Sequence, residues 1–521
     1  MPMIEREIKF RLPEGMAAER VRQVVEDAGF RLSPGPALAH EDRYLDTDDW
    51  ALYKAGLALR LRAGSSGTRL EAKTLRSSSD QALVRSEWSQ DVPQGDPAWP
   101  SMTPGPVTAL LQPLSGLQVL ERLRVRARLK NDRECFGFAR GETPLGSLTV
   151  DHVRALNGDD SPPVTFEEVE IELLPAPAGE NGTPAADLAL VEVRRAVEGA
   201  LGVEANVASK LATALQAAGE RAPERDERAF VVGPADRLTD VAHKTFAKQF
   251  GRVLWNEPGT RLGVDPECLH DMRVATRRLR TALDLFETAI PDHPRRSFAE
   301  DLRWIGRALG RVRDRDVALA QVLALEVDAP DLEREAWRIF RHTLELGRAR
   351  ARVRLIERLD SERYRAFLDR AREWIEAGPP AAAAVPAGGA PAYQVAPSLV
   401  AERLGQLALA SEEAERLVDQ PSLHAFRIAA KRARYALEYF GDTAGPGSWK
   451  RAKRLAGLQD FLGEHQDAVM LLRRMRKYAK TVPGRDRELT LGVGSVMGHL
   501  ERVGRMRRAD LRRAWSEARA D

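Results

Sequence analysis

Two periodicities divide this chain. In its front half, short runs alternate polar with apolar positions: Glu5 to Phe10, Leu57 to Arg62, Thr68 to Thr74, Val84 to Val92, Leu123 to Leu129 and Glu168 to Leu173. Period two sends successive side chains to opposite faces, so these runs predict strands. Helical spacing predicts helices at Met16 to Ala28 and Ala185 to Leu201. Beyond residue 232 the alternation almost disappears, and long stretches of Ala, Leu, Arg and Glu predict an all-α bundle. The polar run Arg225 to Arg228 followed by Gly233-Pro234 marks the joint. A stretch rich in Pro, Gly and Ala at 377–398 reads as a flexible linker and splits the helical part into halves of about 233–376 and 399–521.

The two helical halves repeat one pattern. Leu269-His270-Asp271-Met272-Arg273-Val274-Ala275-Thr276-Arg277-Arg278-Leu279-Arg280 is echoed by Leu423-His424-Ala425-Phe426-Arg427-Ile428-Ala429-Ala430-Lys431-Arg432-Ala433-Arg434, at an offset of 154 that also relates Phe286 to Phe440. Gly310 and Asp314 match Gly463 and Asp467 at an offset of 153. An internal duplication explains this economically. On a helix, His270, Arg273, Arg277 and Arg280 share one arc opposite Met272, Ala275, Leu279 and Leu283; His424, Arg427, Lys431 and Arg434 do the same opposite Phe426, Ala429, Ala433 and Leu437. Like charges one turn apart lower helix stability by a few tenths of a kcal/mol per pair, about 0.2–0.5. A solvated face, or pairing with acids of a neighbouring helix, would explain a single basic helix; two copies brought together would form one cationic groove for a phosphate-rich polyanion. Base stacking needs aromatics among the cations, and only Tyr435 is near, which disfavours nucleic acid. Lys244, Lys248, Arg303, Arg307, Lys450 and Arg454 are further basic positions that could extend the groove.

Charge reinforces the division. The net +3 hides 52 Lys/Arg against 41 Asp/Glu in residues 233–521 and 28 against 36 in residues 1–232. A basic back half points to a polyanion partner, and an acidic front half points to a cation requirement. The 521 residues exceed one ordinary core. Cys135 and Cys268 stand alone, which supports neither a disulfide framework nor a zinc cluster. No long apolar run occurs and the start is charged, so the expected setting is cytoplasmic, away from membranes.

The back half, 233–521, resembles a CHAD domain, the histidine-bearing all-helical module with two pseudo-symmetric four-helix halves. The resemblance implies polyphosphate binding by His270, Arg273, Arg277, Arg280, His424, Arg427, Lys431 and Arg434.

In the front half, Glu5, Glu7 and Lys9 share one strand face, and so do Glu168, Glu170 and Glu172. Arg60, Arg62, Lys73, Arg85, Arg124 and Arg126 lie on similar alternations with apolar neighbours between them. Acids and bases facing one interior make no hydrophobic core, but they suit a metal-bound polyanion. Residues 1–218 resemble the CYTH family, the triphosphate tunnel metalloenzymes, with residues 219–232 as a linker. The signature Glu-x-Glu-x-Lys stands as Glu5-Arg6-Glu7-Ile8-Lys9; Tyr44-Leu45-Asp46-Thr47, Leu59-Arg60-Leu61-Arg62, Glu71-Ala72-Lys73, Arg85-Ser86-Glu87, Glu168-Val169-Glu170 and Ser209-Lys210 follow in family order. Asp151 resembles a family aspartate near the metal strand, and Arg126, with Arg124 second, stands for the arginine of the Leu123 to Arg128 strand.

The resemblance implies an α+β multi-domain protein, an N-terminal antiparallel β-barrel tunnel followed by the helical bundle. It implies Mg²⁺ or Mn²⁺ on Glu5, Glu7, Glu168 and Glu170, with phosphate held by Lys9, Arg60, Arg62, Lys73, Arg85, Arg124, Arg126 and Lys210. The expected reaction is hydrolysis of inorganic triphosphate to pyrophosphate and phosphate. Thiamine triphosphatase, adenylate cyclase and a non-catalytic polyphosphate-binding protein are the alternatives.

Overall fold

The computed structural model describes residues 2–65, 67–76, 83–92, 103–157, 162–174, 184–206, 209–225, 231–233, 235–381, 384–417, 419–482, 486–509 and 515–516. Two compact units result: residues 1–225 with 258–265, and residues 226–257 with 266–521.

In the first unit, β1 (Met3–Arg11), β2 (Arg31–Asp46), β3 (Leu57–Gly64), β4 (Gly67–Thr74), β5 (Leu83–Val92), β6 (Arg124–Arg140), β7 (Thr143–Leu156) and β8 (Val164–Leu173) form a closed antiparallel barrel in the order β1-β5-β4-β3-β2-β6-β7-β8. Five helices accompany it: α1 (Ala18–Asp27), α2 (Ala51–Lys54), α3 (Pro106–Leu111), α4 (Pro184–Leu201) and α5 (Lys210–Ala217). The barrel inverts the usual arrangement of polar and apolar faces. Ile8 and Phe10 of β1, Leu148 and Val150 of β7 and Val169 and Ile171 of β8 pack outward against Val21 and Val25 of α1 and Ala189, Val193 and Val197 of α4. Each large apolar side chain buried this way contributes about 1.5–3 kcal/mol. The lumen is left to the polar residues in between.

Alternation did not reveal β2 or β7. β2 is mostly exposed over its first half, includes Pro34, Gly35 and Pro36, and shifts register between Pro34 and Ala37. β7 runs through Gly146, where a Cβ would overlap the carbonyl oxygen of Glu172 on β8. Only glycine permits that approach.

The second unit is helical: α6 (Leu238–Leu262), α7 (Pro266–Leu285), α8 (Asp292–Val327), α9 (Asp331–Leu359), α10 (Glu362–Glu376), α11 (Ala392–Leu417), α12 (Gln420–Phe440), α13 (Ser448–Ala479) and α14 (Arg487–Ala509). The repeat lies on α7 and α12. Phe286 and Phe440, equivalent by the offset of 154, meet edge to face with ring centroids 5.6 Å apart. Arg278 pairs with Glu438 at 2.7 Å, and the equivalent Arg432 approaches Asp284 at 4.0 Å. Both relations point to a pseudo-twofold axis between α7 and α12. The stretch 377–398 departs from the expected flexible linker, because α11 begins inside it at Ala392. Ala392, Ala396 and Val400 are buried one turn apart, and a Cβ on Gly388 would lie 2.8 Å from Ala289 Cα. Small residues here permit close packing.

Candidate active site and anion-binding surface

Strand register decides which groups share the lumen. Glu7 stands opposite Glu172, Lys9 opposite Glu170 and Glu5 opposite Arg85. Arg60 faces both Tyr44 and Glu71, Arg62 faces Asp42, and Arg133 faces Asp151. Directly opposed residues project to the same side. The eight strands thus converge on a polar cavity whose walls include Glu5, Lys9, Arg60, Arg62, Lys73, Arg85, Arg133, Glu170, Glu172 and Lys210.

Acids and bases alternate closely inside. Lys9 Nζ lies 2.5 Å from Glu170 and 3.3 Å from Glu7. Lys210 Nζ reaches Asp151 and Glu170 at 2.6 Å each and Glu168 at 3.1 Å. Arg133 donates to both oxygens of Asp151, at 2.5 and 2.6 Å, and to Glu170 at 2.7 Å. Lys73 pairs with Glu5, and with Glu7 at 3.1 Å. Arg62 forks onto Asp42 at 2.8 and 2.9 Å, and Arg60 reaches Asp42 at 3.3 Å and Glu71 at 2.7 Å.

This alternation sets the proton affinities. Burial alone would lower Lys9, but Glu170 and then Glu7 outweigh it and raise the ammonium above its ordinary value. Burial would raise Glu170, yet Lys210, Lys9 and Arg133 hold it well below the carboxylate range. Other acids are left in excess. Glu172 is pushed up to about 7 by burial and then by Glu5 and Glu7, while burial and Glu7 raise Glu5. Burial likewise raises Glu168 against the opposing pull of Lys210.

In the helical unit, α7 and α12 bring Arg273, Arg277, Arg427 and Lys431 into one electrostatic cluster. Lys431 is pushed down to about 6 by burial, then by Arg277, Arg427, Arg273 and Arg434. Arg277 donates to the hydroxyl of buried Tyr435 at 3.0 Å, and Arg278 lies over that ring at 4.7 Å from its centroid. Burial, then Arg313, lowers His270.

The sequence matches the CYTH domain family over residues 3–181 and the CHAD domain family over residues 244–476. The chain is a CYTH domain joined to a CHAD domain. Among solved structures, the CHAD domain of the plant Ricinus communis is 27% identical, with a TM-score of 0.46 over 58% of this chain and 97% of that one. PptA from Streptomyces chartreusis is 18% identical, with a TM-score of 0.45 over 54% of this chain and 100% of that one. HpAC1 from Hippeastrum, described as a putative adenylyl cyclase with a dominant triphosphatase activity, is 18% identical, with a TM-score of 0.29 over 42% of this chain and 98% of that one. No curated protein matches the chain.

The CYTH barrel places Glu5, Lys9, Arg60, Arg62, Lys73, Arg85, Glu170 and Lys210 on the cavity wall, with Glu7 and Glu168 buried in contact with the wall lysines. Arg124 and Arg126 stand elsewhere. Between Tyr44 and Leu45 the β2–β6 ladder skips a residue, so Arg126 is the bulged position. It turns to the carbonyl of Thr47 at 2.8 Å, to Glu220 at 3.1 Å and over the Trp50 ring, while exposed Arg124 pairs with Asp48. Arg133 occupies the lumen instead. Its ladder partner Asp151 and the alternation Asn131-Asp132-Arg133 were the available signals, hidden among six other cations between Arg122 and Arg140. Asp42 also escaped notice, and Asp46 of the Tyr-Leu-Asp-Thr segment proves a helix cap, accepting from the backbone N–H groups of Leu52 and Tyr53.

The CHAD unit separates its expected residues. Arg273, Arg277, Arg427, Lys431 and Arg434 act on one another, with His270 beside Arg277; His424 is exposed. Arg280 belongs to a second group with Arg303, Arg307 and Arg432. Lys244 is committed to Asp236 at 2.7 Å, and Lys450 is exposed.

Among the described residues no three acidic, histidine or cysteine side chains converge closely enough to enclose a metal ion. Lys9, Lys73 and Lys210 stand between the carboxylates. The donor set nevertheless fits a hard cation: it is all carboxylate oxygen, and Glu5, Glu168 and Glu172 carry repulsion that a divalent ion would relieve. Among the described residues no helix is long and apolar enough to cross a membrane.

Proposed function

We propose that the CYTH barrel hydrolyses inorganic triphosphate to pyrophosphate and phosphate, and that the CHAD unit binds polyphosphate. The observation that carries the first part is a lumen in which every wall cation is already opposed by a carboxylate, so a phosphate chain can take the place of those carboxylates on the cations. Triphosphate drawing Lys9, Lys73 and Lys210 to itself would leave Glu5, Glu7, Glu168 and Glu170 needing a hard counterion, the place of Mg²⁺ or Mn²⁺. That ion would neutralise phosphate oxygens and lower the pKa of water.

The chain's own part is positioning and charge. Arg60 and Arg62, steadied by Asp42, and Arg133, steadied by Asp151, present forks to the nonbridging oxygens. Lys9, Lys73, Arg85 and Lys210 stabilise the charge that builds on the transferring phosphoryl group and its leaving oxygen. Water attacks the terminal phosphorus, the P–O–P bond breaks with pyrophosphate leaving on its bridging oxygen, and the attacking water gives up a proton to the solvent. The fused CHAD unit favours an inorganic substrate over an organic one. A tethered polyphosphate binder raises the local concentration of phosphate chains.

The test is phosphate release by the full chain from inorganic triphosphate, ATP, thiamine triphosphate and long polyphosphate, with Mg²⁺, Mn²⁺ or chelator. Metal-dependent release from triphosphate, lost in Glu170→Gln with the barrel's circular dichroism unchanged, is the expected result. Release from none of them would leave polyphosphate binding as the function, and an active, metal-dependent Glu170→Gln protein would refute the tunnel chemistry.

A further inference from the structure

Two residues of the duplicated pattern lie on a second helix in each half: Gly310 and Asp314 on α8, Gly463 and Asp467 on α13. Each glycine faces the arginine of its own half. A Cβ on Gly310 would lie 3.6 Å from Arg273 Nε, and one on Gly463 would lie 3.5 Å from Arg427 Nη2. Each guanidinium therefore lies beside a helix position that has no side chain, where an added Cβ would already touch it in van der Waals contact and a longer side chain would compete for its place. One turn on, at the same face, come the acids. Asp314 is the acid acting on Arg273, and Asp467 is the first acting on Arg427. Asp314 is held from the far side by Arg474, which donates to its carbonyl and stands 4.0 Å from its carboxylate.

The arginine heads remain uncommitted. Among the described residues neither Arg273 nor Arg427 has an ion-pair partner, and Arg427 Nε is buried without a hydrogen-bond acceptor. The two heads also act on each other across the α7–α12 pair, Arg427 helping to lower Arg273.

Building on the polyphosphate reading above, we infer that the Gly-x-x-x-Asp pair is a duplicated positioning device that lays Arg273 and Arg427 over bare backbone and aims both at one linear chain of phosphates. A phosphate chain reads the same from either end, so it can satisfy two arginines related by a twofold axis equally. A nucleic acid strand has direction and cannot.

The experiment titrates the full chain with inorganic polyphosphate of defined length at fixed salt. Arg273→Ala and Arg427→Ala should each weaken binding about tenfold to a hundredfold, the range for hydrogen bonds to charged groups, and by similar factors. Gly310→Leu should match the Arg273→Ala loss and add nothing to it in the double variant; Gly463→Leu should relate to Arg427→Ala in the same way. Leucine is the better helix former, and Gly457→Leu, where nothing lies within 4 Å of the added Cβ, should bind like the wild type. If one leucine variant fails to fold, the other half carries the test. Arginine losses with leucine variants that bind like the wild type, or that weaken the arginine-to-alanine proteins by a further equal factor, overturn the positioning role alone. No loss at either arginine overturns the polyphosphate reading and the device together.

Discussion

Polyphosphate binding by the CHAD unit should take up a proton, and Lys431 should be where it goes. Burial and the neighbouring Arg277, Arg427, Arg273 and Arg434 hold its ammonium down to about 6 against an ordinary 10.5, with Asp467 of the facing helix acting against them. At pH 8 about one molecule in a hundred of the free protein carries that charge. A bound polyanion replaces repulsion with attraction and returns the lysine toward its ordinary value. Because the ligand prefers the protonated form, affinity should fall as pH rises above about 6, close to tenfold per unit until the pKa of the complex is reached. From pH 6, where about half of the molecules already carry the charge, to pH 8 that is about 2.3 kcal/mol, at about 1.36 per unit. Calorimetric titration with long polyphosphate at pH 8.5, in two buffers of different ionisation enthalpy, measures the uptake directly. His270 adds little there, since burial and then Arg313 hold it below its ordinary value. Uptake near one proton in the wild type and near zero in Lys431→Met is expected. A flat affinity between pH 6 and 8, or the same uptake in Lys431→Met, would refute the reasoning.

Other consequences concern the barrel. Arg133→Ala should reduce kcat/KM for triphosphate at least about a hundredfold, as loss of a preorganised charge does, whereas Arg124→Ala, at an exposed residue that is not part of the cavity wall, should leave steady-state kinetics unchanged. Asp42→Asn leaves Arg60 and Arg62 short of a buried partner and should lower stability by about 3–5 kcal/mol in urea melts at pH 7. Arg60 and Arg62 hold the Asp42 carboxyl below its ordinary value against burial, so its stabilisation is present above about pH 4 and lost only well below; the deficit of the variant should shrink there. Gly146→Ala must part β7 from β8 at Glu172 and should cost about 3 kcal/mol by the same melts, the upper range for overpacking.

The sequence carried much of this because function and fold use the same alternation on the interior strands. Glu5, Glu7 and Lys9 are polar at every second position with Ile8 and Phe10 outward, so one run announces both a strand and a charged lumen. The signal failed where alternation is locally broken. Arg133 shares the parity of Ala127, whose partner Tyr44 faces Arg60, whereas Arg126 falls in a bulge that no composition rule shows; parity counted back from Asp151 would have selected Arg133. β2 was illegible because both of its faces are exposed along much of its length, so neither is apolar. The segment before α11 misled in the other direction: alanine and glycine look like linker by composition, yet they are also what close packing against Ala289 demands. In the CHAD unit the repeat identified the cationic helices correctly, but only the packing of α7 on α8 separates Arg280, which meets Arg303 and Arg307, from Arg273 and Arg277.

The Phe286–Phe440 contact on the pseudo-twofold axis has an evolutionary and physical corollary. Each ring fills the space that the other half provides, so a polypeptide holding one copy would present its phenylalanine to water and bury it only by meeting a second copy of itself. Such an ancestor is a homodimer with an isologous interface, and its anion site would exist only at concentrations where the dimer forms. Joining the copies in one chain makes that encounter intramolecular. The assembled site then persists at any dilution, and the two halves become free to diverge, as Arg277 and Lys431 already have.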